Sequence, residues 1–567
     1  MILSVSKIKT IFKCIPCNYK KKMYPLFFLN LINVLLDLLS VALLLPFLML
    51  IFNPNLSYNN KILNLLFNPK TVYLSLFLLI LFFITKNILS VKIINYQSKL
   101  IYNISSEISK KYITNFIKKG YLNYQNKEKG DVLRNTIDIP NGFVNYILMS
   151  LVIIFTEMIV ILFIAIFSFI FFAKFSIYII LIVFSVIGLF SYYRKKKLNT
   201  VNNKLKNGYN TNANYLLDII NGYLNIKSIS KESFFLKQFN DSNKKLNTVY
   251  GYLTAIRISN NKFIEIIIII TICFLVVYLL NFSSSSDTNS LFLVSFLASI
   301  SIKLLPSLNK LFISFSNLKA YDYSINIILN YLKREEKIVE NKLPVVFNKK
   351  IIIKNISFKY SNIKLLENIN LEILKGEMIG IKGRTGSGKT TLIHVLLRLI
   401  KPASGTIYFD EEIARSDDNW IKHFGYVSQQ MHIYNGSILN NIAIGECKKD
   451  IDFIKIDALI KAFNFENDLM NFSEGIYTNT GNNGQLLSGG QKQKIALIRS
   501  LYFNPKILIL DEATNQLDIE NEILILNYIK KLSKNNELTV ILISHNNKAL
   551  NYCDRILELK NNSLNET

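Results

Sequence analysis

Eight consecutive residues near the middle of the chain have the types and spacing of a phosphate-binding loop. They are Gly383, Arg384, Thr385, Gly386, Ser387, Gly388, Lys389 and Thr390. In such a loop the backbone N–H groups surround phosphate oxygens, the lysine reaches the β- and γ-phosphates, and the last hydroxyl binds Mg²⁺. The loop therefore predicts that a nucleoside triphosphate binds here, but alone it does not indicate what the nucleotide drives.

The elements around the loop fit this chemistry. An apolar strand is predicted at Met378–Ile381 and a helix at Thr391–Leu399. This strand–loop–helix order is the context that the motif requires, because the start of the helix points N–H groups at the phosphates. We therefore add Thr391 to the predicted ATP-binding residues.

Two further motifs accompany the loop: Leu487–Gln491 reads Leu-Ser-Gly-Gly-Gln, and an apolar run ends in Asp511 and Glu512. Together the three motifs resemble those of the ATP-binding cassette (ABC) proteins. The resemblance implies ATP and Mg²⁺ as cofactors, with Lys389 neutralising phosphate oxygens and with Thr390 and Asp511 at the metal. Glu512 would be the base that polarises the attacking water.

The resemblance also gives roles to polar residues that end other predicted strands. Gln429 would sense the metal and the attacking water, and His545, after the predicted last core strand, would contact the γ-phosphate. Tyr360, which ends a strand predicted at Lys350–Tyr360, would place its ring against the adenine. The catalytic set implied in this way is Glu512, His545, Gln429 and Lys389.

One chain supplies one cassette, so the resemblance implies that it is half of a dimeric machine. In this family the second glycine-rich motif faces the γ-phosphate that the opposite cassette binds. The residues with this expected role are Ser488, Gly489, Gly490 and Gln491. Because every expected catalytic residue is present, we favour a homodimer.

The chain departs from the usual family pattern in two places. Asn482 stands where exporters usually carry a glutamate, which puts the usual charge contact with a coupling helix in doubt but leaves ATP binding unaffected. The segment Asn515–Asp518 reads Asn-Gln-Leu-Asp, where Ser-Ala-Leu-Asp is commoner. Asp518 is retained, so we expect communication between cassettes to persist.

The front half of the chain has the composition of a membrane domain. The chain has 567 residues, of which 50% are hydrophobic, and the apolar excess lies before about residue 320. Six apolar stretches are long enough to cross a bilayer, which takes ~20 residues. They lie near Tyr24–Phe52, Val72–Ser90, Val144–Phe172, Ser176–Tyr193, Phe263–Leu280 and Leu291–Phe315.

This pattern resembles the exporter type of ABC transporter. It predicts an all-α six-helix membrane domain at 1–325, a linker at 326–345 and an α/β P-loop ATPase domain at 346–567. In exporters, two cytosolic coupling helices transmit movement to the ATPase domains. The segments Tyr121–Arg134 and Leu216–Glu232 lie where these are expected, although simple packing of amphipathic helices is the alternative.

The net charge of +27 does not indicate nucleic-acid binding, because the basic clusters flank apolar spans. By the positive-inside rule the long Lys-rich segments near 91–143 and 194–262 are cytosolic, and so are both termini. We therefore expect a multi-pass protein of a bacterial inner membrane, with Met1–Asn18 as a short amphipathic helix on the inner surface. The five cysteines suggest no disulfide framework.

Ionisable residues inside membrane spans are costly and are functional candidates by default. They are Asp37, Lys86, Glu157, Glu265 and Lys303. Lys310 shares a helix face with Lys303, two turns away, on either side of a possible proline kink. Lys86, Lys303 and Lys310 would suit an anionic head group. Alternatively, Asp37 and Glu157 simply pair with a lysine.

The placement of these lysines and the loop Leu122–Lys127 resemble the flippases of lipid-linked oligosaccharides. Such proteins move undecaprenyl-pyrophosphate glycans from the inner to the outer leaflet, so the expected partners are membrane lipid and a lipid-linked glycan. Export of another amphiphile, such as a lipid, peptide or drug, remains the alternative, since fold does not fix cargo. The first span begins near Tyr24, which disfavours an exporter with an N-terminal protease domain. A cassette protein on ribosomes or DNA is disfavoured by the spans, and an inactive regulator by the intact catalytic set.

Overall fold

The computed structural model describes residues 4–52, 72–171, 198–205, 207–282, 288–332, 347–360, 363–410, 412–413 and 420–566. The chain divides into two compact units. The first consists of Met1–Lys119 and Asn123–Glu336, and the second of Gly120–Leu122 and Lys337–Thr567. Each unit has its own hydrophobic core and is described separately below.

The described part of the first unit is helical. Its elements are α1 (Val5–Cys14), α2 (Cys17–Phe52), α3 (Val72–Lys118), α4 (Gly120–Gln125, which begins in the second unit), α5 (Lys129–Leu133), α6 (Ile139–Gly142), α7 (Met149–Phe171), α8 (Tyr223–Ser228), α9 (Glu232–Phe282), α10 (Thr288–Ala320) and α11 (Asp322–Leu332). Two π-helical turns, Arg134–Asp138 and Phe143–Leu148, flank α6, and residues 198–205 and 207–221 are also helical.

Three helical segments among the described residues are long and apolar enough to cross a membrane: Cys17–Ser40, Leu76–Lys118 and Lys129–Ile166. Each of them overlaps one of the first three predicted spans. The predicted spans Phe263–Leu280 and Leu291–Phe315 lie within α9 and α10. The predicted span Ser176–Tyr193 lies outside the described residues. Of the linker predicted at 326–345, residues 326–332 instead belong to the helix α11, and the rest lies outside the described residues.

The N-terminal helix α1 packs on protein. Ser4 caps it by accepting a hydrogen bond from the Lys7 backbone N–H, and Ile11 and Cys14 are fully buried in the core of the unit. Lys7 Nζ forms an ion pair with Asp322 Oδ1 of α11 at 2.8 Å. The expected amphipathic helix is therefore present, but its apolar face is covered by the rest of its own unit.

The second unit contains two sheets. Its strands are β1 (Lys350–Tyr360), β2 (Ile363–Leu374), β3 (Met378–Lys382), β4 (Ser404–Phe409), β5 (Glu412–Ile413), β6 (Phe424–Val427), β7 (Ile507–Asp511), β8 (Thr539–Ile543), β9 (Arg555–Lys560) and β10 (Ser563–Glu566). One sheet has the order β2-β1-β4-β5 and is antiparallel, and the other has the order β10-β9-β3-β8-β7-β6. In the second sheet all strands except β10 are parallel.

Helices connect the parallel strands, as such crossovers require. They are α12 (Lys389–Leu396), α13 (Ile438–Ile442), α14 (Phe453–Ala462), α15 (Glu466–Met470), α16 (Gly489–Tyr502), α17 (Ile519–Lys534) and α18 (Asn547–Leu550). The strands β7 and β8 are buried at every position, which is typical of a parallel sheet covered on both faces.

The predicted strands at Lys350–Tyr360 and Met378–Ile381 are present, the second extended by one residue. The helix predicted at Thr391–Leu399 begins earlier, at Lys389, and ends at Leu396. The expectation that His545 follows the last core strand is wrong, because β9 continues the parallel sheet on the other side of β3. His545 still directly follows the end of β8.

Candidate nucleotide site

The predicted catalytic residues meet at one edge of the parallel sheet. The strands β3, β8, β7 and β6 are neighbours in this order, and their carboxyl ends lie at the same edge. The phosphate loop follows β3, His545 follows β8, Glu512 follows β7, and Gln429 follows β6. Ligands of open α/β sheets bind at this edge, so the topology places these side chains around one site.

The loop after β3 has the backbone geometry of an anion cradle. Gly388 has a left-handed φ of 104°, and a Cβ there would lie 3.0 Å from the Leu365 carbonyl oxygen. A Cβ at Gly383 would lie 2.7 Å from the Leu559 carbonyl oxygen. Among the described residues, the buried hydroxyl of Ser387 has no hydrogen-bond partner. An unsatisfied donor in a glycine-lined loop fits the phosphates of ATP.

Lys389 is 7% exposed and points back into the loop. Its Nζ donates to the carbonyl oxygens of Gly383 at 2.7 Å and Arg384 at 3.2 Å, and it lies 3.3 Å from His545 Nε2. Burial lowers the pKa of Lys389, and the carboxylates of Glu512 and Asp511 oppose that shift. The lysine thus lies within the loop, where a triphosphate would take the place of the carbonyl partners.

Asp511 is positioned for a metal ion. Its Oδ2 accepts hydrogen bonds from the Thr390 hydroxyl and from the Tyr426 hydroxyl, both at 3.3 Å. Burial raises the pKa of Asp511, and these two hydrogen bonds oppose the shift. A hydroxyl and a carboxylate are oxygen donors of the kind that Mg²⁺ prefers, so these residues fit the ion. Bound there, Mg²⁺ would neutralise charge on the β- and γ-phosphates.

Glu512 lies in a strained turn, and each oxygen of its carboxylate has a neighbouring side-chain nitrogen. Its φ of 52° is left-handed, which is uncommon for a residue with a side chain. Gln429 Nε2 donates to Glu512 Oε2 at 2.8 Å, and His545 Nε2 lies 3.2 Å from Oε1. Glu512, the predicted base, therefore contacts both Gln429, the predicted metal sensor, and His545, the predicted γ-phosphate contact, within a single unit.

The second glycine-rich motif begins α16. Ser488 Oγ accepts from the Gln491 backbone N–H at 3.2 Å, and the Ser488 N–H donates to Gln491 Oε1 at 2.9 Å. This capping box fixes the helix start, where free N–H groups favour an anion. Gln491 also donates to Asp468 at 3.1 Å, so its side chain serves local packing. The expectation that Ser488, Gly489, Gly490 and Gln491 face a partner's nucleotide stays a prediction.

The remaining predicted contacts lie around the loop. Arg384, Thr385 and Gly386 form its exposed outer part, and Thr391 is half-buried in the first turn of α12. Tyr360 ends β1 and packs edge-on against Phe358, with ring centroids 5.0 Å apart. Its expected stacking on adenine stays a prediction.

Two residues that the sequence did not single out belong to this site. Tyr426, in β6, donates to Asp511, and burial followed by the charge of Asp511 raises the pKa of its hydroxyl. Asn515 Nδ2 donates to Glu512 Oε2 at 3.2 Å. The departure from the usual Ser-Ala-Leu-Asp sequence was the only sequence signal for Asn515, and a tyrosine within an apolar strand carries no signal of its own.

The charged residues of the membrane helices form ion pairs. Lys86 Nζ lies 2.7 Å from Asp37 Oδ1 and donates to Ser40 Oγ at 3.0 Å, which joins α3 to α2. Lys310 Nζ lies 2.8 Å from Glu157 Oε1, which joins α10 to α7. Two of the three candidate substrate lysines are therefore paired with carboxylates. The side chain of Lys303 lies outside the described residues.

The two halves of the chain match two known families. Residues 26–302 match the ABC transporter transmembrane region, and residues 366–515 match the ABC transporter family. The chain is an ABC half-transporter. Its second unit is an ABC ATPase domain, and such domains use ATP with Mg²⁺.

A solved structure shows the fold of this half-transporter over almost its whole length. It is a bacterial Atm1-family ABC exporter with ATP bound, with a TM-score of 0.80 at 18% sequence identity, covering 95% of this chain and 94% of that one. The predicted fold class, a helical exporter-type membrane domain followed by an α/β P-loop ATPase domain, is confirmed.

Curated relatives are similar over part of this half-transporter. ABC transporter B family member 29, chloroplastic, of Arabidopsis thaliana is 33% identical over 290 residues, which is 50% of this chain and 45% of that protein. The leukotoxin translocation ATP-binding protein LktB of Mannheimia glucosida is 41% identical over 221 residues, 38% of this chain and 30% of LktB. The alpha-hemolysin translocation ATP-binding protein HlyB of Escherichia coli is 39% identical over 224 residues, 39% of this chain and 31% of HlyB. The chain thus matches less than half the length of each.

Proposed function

We propose that two copies of this chain form an exporter that uses ATP hydrolysis to move a lipid-linked oligosaccharide from the inner to the outer leaflet of a bacterial inner membrane. The convergence of Lys389, Glu512 and His545 at the carboxyl edge of one parallel sheet carries the hydrolysis part of the proposal. The exporter fold carries the transport part. Both termini would be cytoplasmic, which the distribution of basic residues supports.

The side chains of the site divide the work of hydrolysis. Lys389 would neutralise the β- and γ-phosphate oxygens, while Thr390 and Asp511 would hold the metal directly or through water. Glu512 would accept a proton from the attacking water, and Gln429, which already touches it, would place that water relative to the metal. His545 would contact the γ-phosphate, because its ring lies between Lys389 and Glu512.

The second half of each site would come from the other copy. The capped start of α16 offers backbone N–H groups and the hydroxyl of Ser488 to an anion. Bound between this helix start and the phosphate loop of the partner subunit, ATP would join the two ATPase domains, and hydrolysis would release them. The presence of every catalytic residue in this chain supports a homodimer.

The cargo assignment depends on cations within the membrane helices. Lys310 is paired with Glu157, yet its side chain is 58% exposed and has donors left for a second anion. A pyrophosphate that leaves water needs such cations, because an unpaired charge in an apolar medium is costly. Lys310, Lys86 and Lys303 are therefore the proposed head-group contacts.

Export of a protein is the second candidate. It is supported by the similarity to LktB and HlyB, whose names describe toxin translocation. The matches cover 38% and 39% of this chain and only 30% of LktB and 31% of HlyB, so a shared cargo does not follow from them. A transport assay with both kinds of cargo distinguishes the two.

The test uses purified protein in proteoliposomes that contain a fluorescent short-glycan polyprenyl-pyrophosphate. Its movement between leaflets is followed with and without ATP, for the wild type and for Glu512→Gln. We expect ATP-dependent movement that the variant loses. ATP hydrolysis without movement would contradict the flippase assignment, and ATP-dependent uptake of an unfolded polypeptide in the same vesicles would favour the second candidate.

A further inference from the structure

The carboxylate of Glu512 receives a hydrogen bond from a residue that has no assigned part in hydrolysis. Gln429 and Asn515 both donate to Oε2, at 2.8 Å and 3.2 Å, while His545 Nε2 lies 3.2 Å from Oε1. We propose that Asn515 is a positioning residue that orients the Glu512 carboxylate for the attacking water. The inference rests on the proposed role of Glu512 as the base.

The other two neighbours of the carboxylate have competing tasks. In the proposed mechanism Gln429 also contacts the metal and the water, and His545 also contacts the γ-phosphate. Gln429 and His545 therefore cannot both keep their contacts with the Glu512 carboxylate throughout the reaction. Asn515 has no proposed contact with the metal, the water or the γ-phosphate, so its hydrogen bond to Oε2 can be kept during hydrolysis.

The local backbone supports this role. Asn515 follows Glu512 by three residues in the same turn, and its N–H points at the Glu512 carbonyl oxygen from 3.5 Å. Glu512 is left-handed, and the next turn is closed by the hydrogen bond from the Leu517 N–H to the Thr514 carbonyl at 3.1 Å. Because base and amide belong to one short segment, the amide follows the base through any movement of the loop.

Orientation matters because a glutamate side chain has several rotatable bonds. A donor fixed on Oε2 restricts the carboxylate and leaves Oε1 to accept the proton of the water. Alignment of reacting groups accounts for a large part of enzymatic rate enhancement, and small displacements are costly. A serine, the commoner residue at this position, is shorter than Asn515 and would hold the carboxylate less firmly.

The experiment measures steady-state ATP hydrolysis by the full-length protein in lipid nanodiscs. We expect Asn515→Ala to lower kcat about tenfold, the usual scale for a hydrogen bond to a charged group, with KM for ATP changed less than about twofold. Asn515→Ser should recover part of kcat. Asn515→Asp, which has the same shape but repels the carboxylate, should fall below Asn515→Ala. The matched control, Asn535→Ala at the exposed end of α17, should behave as wild type.

Three results would overturn the inference. They are an unchanged kcat in Asn515→Ala, a raised KM with normal kcat, and loss of the ATP-trapped dimer when Asn515→Ala is added to Glu512→Gln. The last would assign Asn515 to the contact between subunits. Full hydrolysis by Glu512→Gln would instead contradict the proposed role of Glu512 as the base. The experiment therefore distinguishes failure of the Asn515 inference from failure of the proposed function.

Discussion

The two units of the molecule treat charged side chains in opposite ways. In the ATPase unit, side chains from four strand ends converge, so that His545 lies 3.3 Å from Lys389 and 3.2 Å from Glu512. In the membrane unit two pairs, Lys86 with Asp37 and Lys310 with Glu157, each join one charge to one opposite charge on a neighbouring helix. The first arrangement concentrates charge for chemistry, and the second neutralises it.

The difference follows from the solvent around each unit. The edge of a parallel sheet opens to water and can hold several charges until a ligand arrives. A membrane-spanning helix has no water along its apolar length, so an unpaired lysine there costs several kcal/mol. A charge in the membrane unit therefore indicates function only if it does something besides neutralise its partner. The predictions below test that distinction, from the largest expected effect to the smallest.

Removing the base should have the largest effect. Glu512→Gln keeps the size of the side chain and one acceptor oxygen but cannot accept a proton, so we expect kcat for ATP hydrolysis to fall about 10³-fold. ATP should still bind and should trap the dimer, which size-exclusion chromatography with Mg²⁺ and ATP would detect. Undiminished hydrolysis would contradict the assignment of Glu512.

Breaking the ion pair of Asp37 and Lys86 should have the largest effect on the free energy of unfolding. Asp37→Leu leaves Lys86, which is 9% exposed, without its carboxylate, and breaking a buried pair costs about 3–5 kcal/mol. The double variant Asp37→Leu/Lys86→Met should recover most of this loss, because two apolar groups replace the pair. Thermal unfolding of the wild type, the two single variants and the double variant in detergent forms a double-mutant cycle. It measures both the loss of stability in Asp37→Leu and its recovery in the double variant.

The double variant also separates structure from cargo binding. If it is stable and still flips lipid, Lys86 only joins α3 to α2. If it is stable but loses flipping while ATP hydrolysis continues, Lys86 contacts the head group. The control is Glu372→Gln: Lys350 and Glu372 form an exposed pair at 2.7 Å in the ATPase unit, and its loss should cost about 0–1 kcal/mol.

The second membrane pair should behave differently. Glu157 is 9% exposed and Lys310 is 58% exposed, so the cost of breaking the pair depends on which partner is left. We expect Lys310→Met, which leaves the buried carboxylate unpaired, to destabilise by about 2 kcal/mol, and Glu157→Gln to cost less than half of that. Equal losses in thermal unfolding would contradict this asymmetry. Glu157→Gln should also strengthen head-group binding, because it frees Lys310.

The residues predicted for the ATPase site could be selected from the sequence because they belong to contiguous motifs whose spacing is set by the chemistry, and the structure places Lys389, Glu512 and His545 close together. Asp511 ends β7, Glu512 follows it, and Lys389 begins the helix after the phosphate loop, so a strand–loop–helix pattern is readable in the order of residues. The membrane pairs join residues more than 40 positions apart, and single helices carry no signal for which faces meet. The sequence therefore indicates Lys86 and Lys310 as candidates, but it leaves pairing with Asp37 and Glu157 as one alternative and does not show which lysine pairs with which carboxylate.

Tyr426 and Asn515 show a second limit of sequence reasoning. Tyr426 is one of several aromatic residues in apolar strands, and only the pairing of β6 with β7 brings it beside Asp511. Asn515 was noticed as a departure from a family pattern, but its contact with Glu512 depends on the left-handed turn between β7 and α17. Both contacts are consequences of topology and backbone conformation.

Substitution of Tyr426 has the smallest expected effect. It tests whether the charged residues of the ATPase unit are arranged to bind a metal ion. Tyr426→Phe removes one of the two hydroxyl donors on Asp511 and leaves the packing of β6 unchanged. If the charges of the ATPase unit are arranged for a metal, losing a donor should change the Mg²⁺ concentration for half-maximal hydrolysis about two- to threefold, with kcat at saturation nearly unchanged. Tyr408→Phe, on a strand of the other sheet, is the matched control. A stability loss with an unchanged Mg²⁺ requirement would mean that the Tyr426 hydroxyl only stabilises the buried Asp511 through its hydrogen bond.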